Sequence, residues 1–416
     1  MGQVNSKYHI LGIFTNYALF EIFILGILSG LPFSILYTSL VMMMKDLGVP
    51  LAMVTGLAIA RIPYSLKFLW APFIDGVRIP FLEKLGRRKS WMIVVTALKI
   101  LVLWFIIEVA SLESYRTVQM LAILFGFLAA TYDIAYDAWR IERVGPEMQA
   151  INAAIAVFGY RMGALITAGG VLYLVGVTGS WNKTLMIIIG LFFIGMLFIL
   201  TVPDKGLDQA KKTSFNIKEN VIEPFKDFLG RPMAISILIT IVLYKAGEAM
   251  LGFVSTPFYQ DLGFSKQEIA SVVKVFGVVA TTLGTIAGGL VSYRLGAIRG
   301  LLVCGIVQMI SNLTFIWLNA QGPQLHALFV TVAVDNFTGG MGAAALVGYL
   351  GMLCNRQYTA TQYALLSSAT TLVNNTLTAY SGSLVEYLGW NQFFIFTVIL
   401  SLPALAMLLY LGRRLD

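Results

Sequence analysis

Asp133 and Asp137 stand four residues apart in Tyr132-Asp-Ile-Ala-Tyr-Asp-Ala-Trp-Arg140, within an otherwise apolar run. On a helix that spacing puts both carboxylates on one face. Two acids so placed away from water compete to hold charge and suit a proton-coupling site. The structural alternative is pairing with Arg140, Arg143 or Arg161.

Further charges fall in apolar stretches: Arg61, Lys67, Lys99, Arg161, Lys245 and Lys274, with Glu21, Glu248 and Asp335. A charge at the centre of a membrane helix costs at least about 2.5 kcal/mol, so it faces a cavity or a partner. Arg161, in Phe158-Gly-Tyr-Arg-Met-Gly163, can hold an anionic group in its fork or neutralise Asp133 or Asp137. Its flanking glycines let another helix approach closely. Lys245 and Glu248 lie one turn apart and read as a local ion pair. Arg61 and Lys274 have no partner nearby in sequence and suit an electropositive cavity wall, while Lys67 and Lys99, near the ends of their stretches, can snorkel. Asp335 opens a polar, glycine-rich patch, Asp335-Asn-Phe-Thr-Gly-Gly-Met-Gly342. There Asn336 and Thr338 can hydrogen-bond a ligand, or the patch serves helix packing. Tyr64, Tyr160 and other nearby aromatics, Trp70, Tyr132, Tyr136, Trp139 and Tyr244, can stack on ring-shaped ligands or simply pack.

The elements that position these residues are membrane helices. Of 416 residues, 58% are hydrophobic and 12% charged, about half the charge of a soluble domain. Apolar runs of about 20 residues recur, long enough to cross a bilayer. Twelve spans are expected, near 18–41, 51–73, 91–109, 117–139, 149–176, 183–202, 232–256, 267–291, 299–319, 324–351, 360–384 and 391–411. Of the 29 Lys and Arg residues, 19 fall on alternate loops and the tails, 4 on the opposite loops and 6 within spans. That bias places both termini in the cytoplasm. The net charge of +8 is therefore a topology signal and not a nucleic-acid site. The cytoplasmic loop holding Asp75, Arg87 and Arg88 can act as a gate by pairing with helix ends.

The chain also repeats itself. Asp46-Leu47-Gly48 is answered by Asp261-Leu262-Gly263, Arg88 by Arg299, and Gly179-Ser-Trp-Asn182 by Gly389-Trp-Asn391. Two parallel halves of six helices are the mark of an alternating-access transporter. The expected organisation is a first half over 1–202, a cytoplasmic linker over 203–231 and a second half over 232–416. Two cysteines, Cys304 and Cys354, and two histidines, His9 and His326, suggest no disulfide framework and no metal site. The first 17 residues do not read as a cleavable signal. No nucleophile elbow, phosphate-binding loop or zinc-protease motif is present, so neither an enzyme nor an ATP-driven pump is expected, and no cofactor.

Several motifs together resemble the AmpG family of muropeptide permeases. They are Gly26-Ile-Leu-Ser-Gly-Leu-Pro32, Pro63-Tyr-Ser-Leu-Lys-Phe-Leu-Trp-Ala-Pro72 with Asp75 and Gly86-Arg-Arg-Lys89, Asp133-Ile-x-x-Asp137-Ala-x-Arg140, Phe158-Gly-Tyr-Arg-Met-Gly163, Thr338-Gly-Gly-Met-Gly342, and Cys354-Asn-Arg with Thr359-Ala-Thr-Gln-Tyr-Ala-Leu-Leu-Ser367. The resemblance implies an all-α major-facilitator fold in the bacterial inner membrane. It implies import of N-acetylglucosamine–anhydro-N-acetylmuramic acid peptides with protons, for peptidoglycan recycling, by a functional monomer. Asp133 and Asp137 are then the proton-coupling candidates. Arg61, Tyr64, Tyr160, Arg161, Lys245, Lys274, Asp335 and Asn336 are the substrate candidates. Asp335 departs from the glutamate expected there, and the chain is shorter than some relatives. Transport of another anionic solute, of acetyl-CoA, nucleotide, sugar or peptide type, and a non-transporting membrane assembly factor are the rival readings.

Overall fold

The computed structural model describes residues 16–50, 55–203 and 218–415. The principal helices are α1 (Tyr17–Ser34), α2 (Arg87–Val109), α3 (Tyr115–Arg143), α4 (Gln149–Leu165), α5 (Trp181–Thr201), α6 (Ala234–Tyr244), α7 (Ala246–Asp261), α8 (Gly277–Leu295), α9 (Ala297–Ser311), α10 (Leu325–Leu353), α11 (Thr359–Ala379) and α12 (Trp390–Leu415). The chain forms two compact units, one from residues up to 145 with 155–215, the other from 146–154 with 216 onward.

Ten helical stretches among the described residues are long and apolar enough to cross a membrane; α6 and α7 count as one of them, broken at Lys245. Two of the twelve expected spans look different. Residues 55–76 form a broken succession: a 3-10 turn (Thr55–Arg61), a short helix (Ile62–Leu66), another 3-10 turn and Ala71–Gly76. Pro63 and Pro72 cannot donate to a continuous ladder, which explains the breaks. Helix α11 has the length, 21 residues, but its Thr, Ser, Asn and Gln content keeps it outside that apolar group.

Lipid replaces water around these helices, so every backbone polar group must be met within the chain. Large apolar side chains accordingly stay exposed on the outer faces, as at Ile194 and Phe253, each 64%. Inside the second unit, Phe258, Phe315, Phe394 and Trp390 form an aromatic core, with the Phe258 and Phe394 rings 4.9 Å apart, edge to face. Polar side chains fold back onto helix carbonyls: Thr167 Oγ1 donates to the Leu31 oxygen at 2.9 Å and Ser34 Oγ to the Ala164 oxygen at 2.8 Å.

These two bonds mark where α1 crosses α4, and the crossing explains two glycines. A Cβ at Gly30 would stand 1.9 Å from the Tyr160 carbonyl oxygen, and one at Gly163 2.1 Å from that of Ile27. Small residues at four-residue spacing on both helices give backbone-to-backbone contact. Gly30→Ala is therefore expected to lower the thermal unfolding midpoint of the purified protein, at a cost on the order of 1–3 kcal/mol for overpacking. Gly176→Ala, where a Cβ meets nothing within 4 Å, should leave the midpoint nearly unchanged. Equal effects of the two would refute the packing account.

The sequence repeats are also structural equivalents. Trp181 Nε1 donates to Asp46 at 2.9 Å, and Trp390 Nε1 donates to Asp261 at 3.3 Å. Each unit thus closes the same pair, between the Asp-Leu-Gly that ends one helix and the Trp that begins another.

Candidate functional site

Helix α3 carries the acids of the first unit. Asp133 is buried, and its Oδ1 accepts a hydrogen bond from Ser29 Oγ of α1 at 2.6 Å. Asp137, one turn on, is held by cations: Arg140 Nε at 2.8 Å and Lys67 Nζ at 3.7 Å. Arg143 reaches the fully buried Glu21 instead, at 2.8 Å. The two carboxylates on one face therefore differ. Asp137 is neutralised from two sides, whereas Asp133 is met by a neutral hydroxyl.

Two lysines read as snorkelling are corrected. Lys67 is buried against Asp137. Lys99 is wholly buried, its ammonium 4.0 Å from the Tyr132 ring centroid and 4.9 Å from that of Phe192. Among the described residues its Nζ makes no hydrogen bond. Cation–π attraction and the charge of Asp133 are what it has in exchange for water. Position near the end of an apolar run suggested an exit to solvent; the packing of α2 on α3 removes it.

The aromatics around Asp133 serve packing. Tyr132 and Tyr136 are buried and donate to the Leu25 and Ile22 carbonyls of α1, at 3.2 and 2.7 Å. Trp70 donates to Thr131 Oγ1 at 3.0 Å; in the second unit, Tyr244 donates to the Leu301 oxygen at 2.9 Å. Arg61 and Tyr64 lie in the broken stretch and are half-buried. Tyr160 and Arg161 lie half-buried on α4 beside the α1 crossing, with Tyr160 and Phe33 rings 5.9 Å apart. The loop candidates are tied inward. Arg88 is 1% exposed and bridges Asp75 at 2.5 Å and Glu142 at 2.8 Å, while Arg87 donates to the Asp75 carbonyl. These partners all belong to the loop's own unit.

The second unit contains a cavity of about 550 Å³ lined by Lys245, Glu248, Tyr259, Asp335, Asn336 and Asn374 among others. Lys245 sits at the break between α6 and α7, where it pairs with Glu248 and donates to the Gly339 carbonyl at 3.1 Å. Glu248 also accepts from Gln308. The glycine patch makes room for this cluster: a Cβ at Gly339 would stand 2.9 Å from Glu248 Oε1. Asn336 accepts from Thr281 Oγ1 at 2.9 Å. Lys274 lies in a π-helical turn, Ile269–Phe276; its side chain is outside the described residues.

The Cys354-Asn-Arg and Thr359-to-Ser367 motifs find a role against the short helix Glu223–Leu229. Asp227 accepts from Gln362 Nε2 at 2.7 Å, Arg231 Nη2 at 2.5 Å and Asn355 Nδ2 at 3.1 Å. Burial alone would push this carboxyl up, but the three hydrogen bonds and the Arg231 charge outweigh it and hold it below the ordinary carboxylate range. A lowered carboxyl stabilises the fold fully above its unfolded value and loses that contribution as pH falls through the lowered one. Asp227→Asn should thus flatten the acid limb of the protein's thermal stability. An acid limb as steep as that of the unmodified protein, measured by tryptophan fluorescence against pH, would count against this role for Asp227.

Membrane-length helices in two units that close the same Asp–Trp pair, with buried charges and a polar cavity in the second, fit a membrane transporter. The sequence profile of the Major Facilitator Superfamily matches residues 22–321 and again 237–415. Two solved structures share the fold. The human organic anion transporter MFSD10 has a TM-score of 0.74 at 14% identity, covering 94% of this chain and 98% of its own. The proton:xylose symporter XylE has 0.71 at 12%, covering 95% and 96%. Much nearer in sequence is a Rickettsia conorii protein named AmpG 4, 47% identical over 97% of this chain and 99% of its own. The anhydromuropeptide permease of Escherichia coli K12 is 33% identical over 94% of this chain and 79% of its own. The chain belongs to the Major Facilitator Superfamily and, within it, to the AmpG family of permeases.

Proposed function

We propose that the protein imports anhydromuropeptides, N-acetylglucosamine–anhydro-N-acetylmuramic acid peptides, across the bacterial inner membrane by proton symport, for peptidoglycan recycling. The observation that carries this reading is the 33% identity to the E. coli anhydromuropeptide permease along 94% of the chain. In this reading the chain crosses the membrane twelve times with both termini cytoplasmic, residues 203–231 link halves 1–202 and 232–416, and a monomer is the working unit. Asp133 is the leading proton site, since its described partner is a hydroxyl, and Asp137, charge-paired with Arg140 and Lys67, is the second. Arg61, Tyr64, Tyr160, Arg161, Lys245, Lys274, Asp335 and Asn336 form the substrate set. Asp75, Arg87 and Arg88 hold the loop that gates it.

The test is uptake of labelled anhydromuropeptide into proteoliposomes. Uptake should rise with an acid exterior and collapse with a protonophore. Uptake indifferent to the gradient would remove the coupling. Absence of uptake by folded protein would remove the substrate and leave another anionic solute, or an assembly role.

A further inference from the structure

The short helix Glu223–Leu229 has two unlike faces. One is turned to protein: Pro224 and Phe228 are buried, and Asp227 is clasped by Gln362, Arg231 and Asn355. The other carries large apolar side chains in the open. Ile222, at the N-cap, is 42% exposed and Leu229, at the end, is 54% exposed. Between them Phe225 is half-buried and Lys226 is exposed. These four residues recur at steps of three and four, so they share one helix face. Contiguous exposed apolar surface of this kind marks contact with a partner or a lipid surface. The stretch does not belong to the helices long and apolar enough to cross a membrane.

The place where the helix is fastened selects between the two. Gln362 stands at the start of α11, and Asn355 lies in the turn between α10 and α11. Arg231 also donates to the carbonyl of Leu353, the last residue of α10, and itself lies just before α6 begins at Ala234. The helix is thus tied to the point where three long helices begin or end, the level at which the headgroups of a bilayer lie. Ile235, in the first turn of α6, is 68% exposed, so the bare apolar surface of a membrane-length helix starts within the same short piece of chain. A second copy or another protein would have to reach the stripe at a level that lipid already fills.

The charges agree. Lys226 is the exposed charge of this helix, while its acids, Glu223 and Asp227, are half-buried. A lysine set in an apolar stripe lays its stem along the acyl chains and lifts its ammonium to the phosphates.

We infer that the helix Glu223–Leu229 lies in the lipid interface, with Ile222, Phe225 and Leu229 inserted among the acyl chains and Lys226 at the phosphates. The Asp227 clasp holds it from the protein side and lipid holds it from the other. Such an anchor is independent of the molecule transported.

The test is site-directed spin labelling of the full chain in phosphatidylcholine–phosphatidylglycerol vesicles, with Cys304→Ala and Cys354→Ser as background. Ile222→Cys and Leu229→Cys each place one nitroxide on the stripe. Its collisions with oxygen, which concentrates in the acyl chains, are compared with those of a water-soluble nickel chelate. Both nitroxides should lie about 5–10 Å below the phosphates, with oxygen colliding several-fold more often than the chelate. Two exposed positions, labelled separately, guard against a folding defect in either. A chelate that collides as often as oxygen at either folded variant puts the stripe in water and overturns the inference. Few collisions with both reagents mean that protein covers the stripe, as a second copy or another segment of the chain would, and overturn it equally.

Discussion

Exchange of Asp133 for asparagine is expected to abolish accumulation of substrate against its gradient while sparing exchange of substrate across the same membrane. The carboxylate is buried, takes a 2.6 Å hydrogen bond from Ser29, and shares its surroundings with the wholly buried ammonium of Lys99. Asp133 thus meets a hydroxyl and a neighbouring buried cation, whereas Asp137 is paired directly with Arg140 and Lys67. Asparagine keeps the shape and still accepts from Ser29, but it cannot take up or release a proton. For each proton carried, one unit of pH gradient is worth about 1.4 kcal/mol, or about tenfold accumulation. The variant should lose all of that, its accumulation ratio settling near one, with counterflow close to the unmodified rate. Lys99→Met removes the buried cation and should shift the pH at which uptake is half-maximal without abolishing it. Full gradient-driven accumulation by Asp133→Asn would exclude Asp133 from coupling.

The fold was largely legible in the sequence because bilayer-length apolar runs are a one-dimensional signal. The two places where the reading and the structure part are informative. Residues 51–73 read as one span by composition, yet in the described stretch from 55 Pro63 and Pro72 break the ladder. Helix α11 has the length of a span but is too polar to sort with the others. Neighbour-dependent properties were harder to see. The repeat of Asp-Leu-Gly and Gly-x-Trp was visible, but not that Asp46 meets Trp181 and Asp261 meets Trp390. Flanking glycines announced a close crossing for Arg161 without naming α1 as the partner. Lys99 was misplaced because burial is decided by the helix packed alongside, not by distance from the end of an apolar run. The cavity of the second unit is assembled from α7, α10, α11 and the π-helical turn Ile269–Phe276, with Lys245 at the break before α7. Which polar side chains meet in it therefore emerges only once those segments are in register.

Replacing Arg88 by leucine is expected to cost more stability than any other single change discussed. The guanidinium is 1% exposed and sits between two carboxylates whose side chains are 2% and 6% exposed, Asp75 and Glu142, while Nη1 donates to the Ile74 carbonyl at 2.9 Å. Removing it leaves two buried negative charges facing each other, and breaking a buried pair in this way costs about 3–5 kcal/mol. Lysine cannot restore the geometry, since a single ammonium lacks the planar fork that spans two acids and a carbonyl at once. Arg88→Lys should therefore recover only part of the loss. The decisive comparison is a triple variant, Asp75→Asn, Glu142→Gln and Arg88→Leu. With the acids neutralised together with their partner, the uncompensated charge is gone, and the triple variant should unfold at a higher temperature than Arg88→Leu alone. That departure from additivity is the signature of a network and not of independent surface charges. Independent, additive losses would reduce the Gly86-Arg-Arg-Lys89 segment to a topology signal. A strong rescue would make the triad the structural anchor of the loop between residues 75 and 89, fixing where α2 begins and holding it to the end of α3.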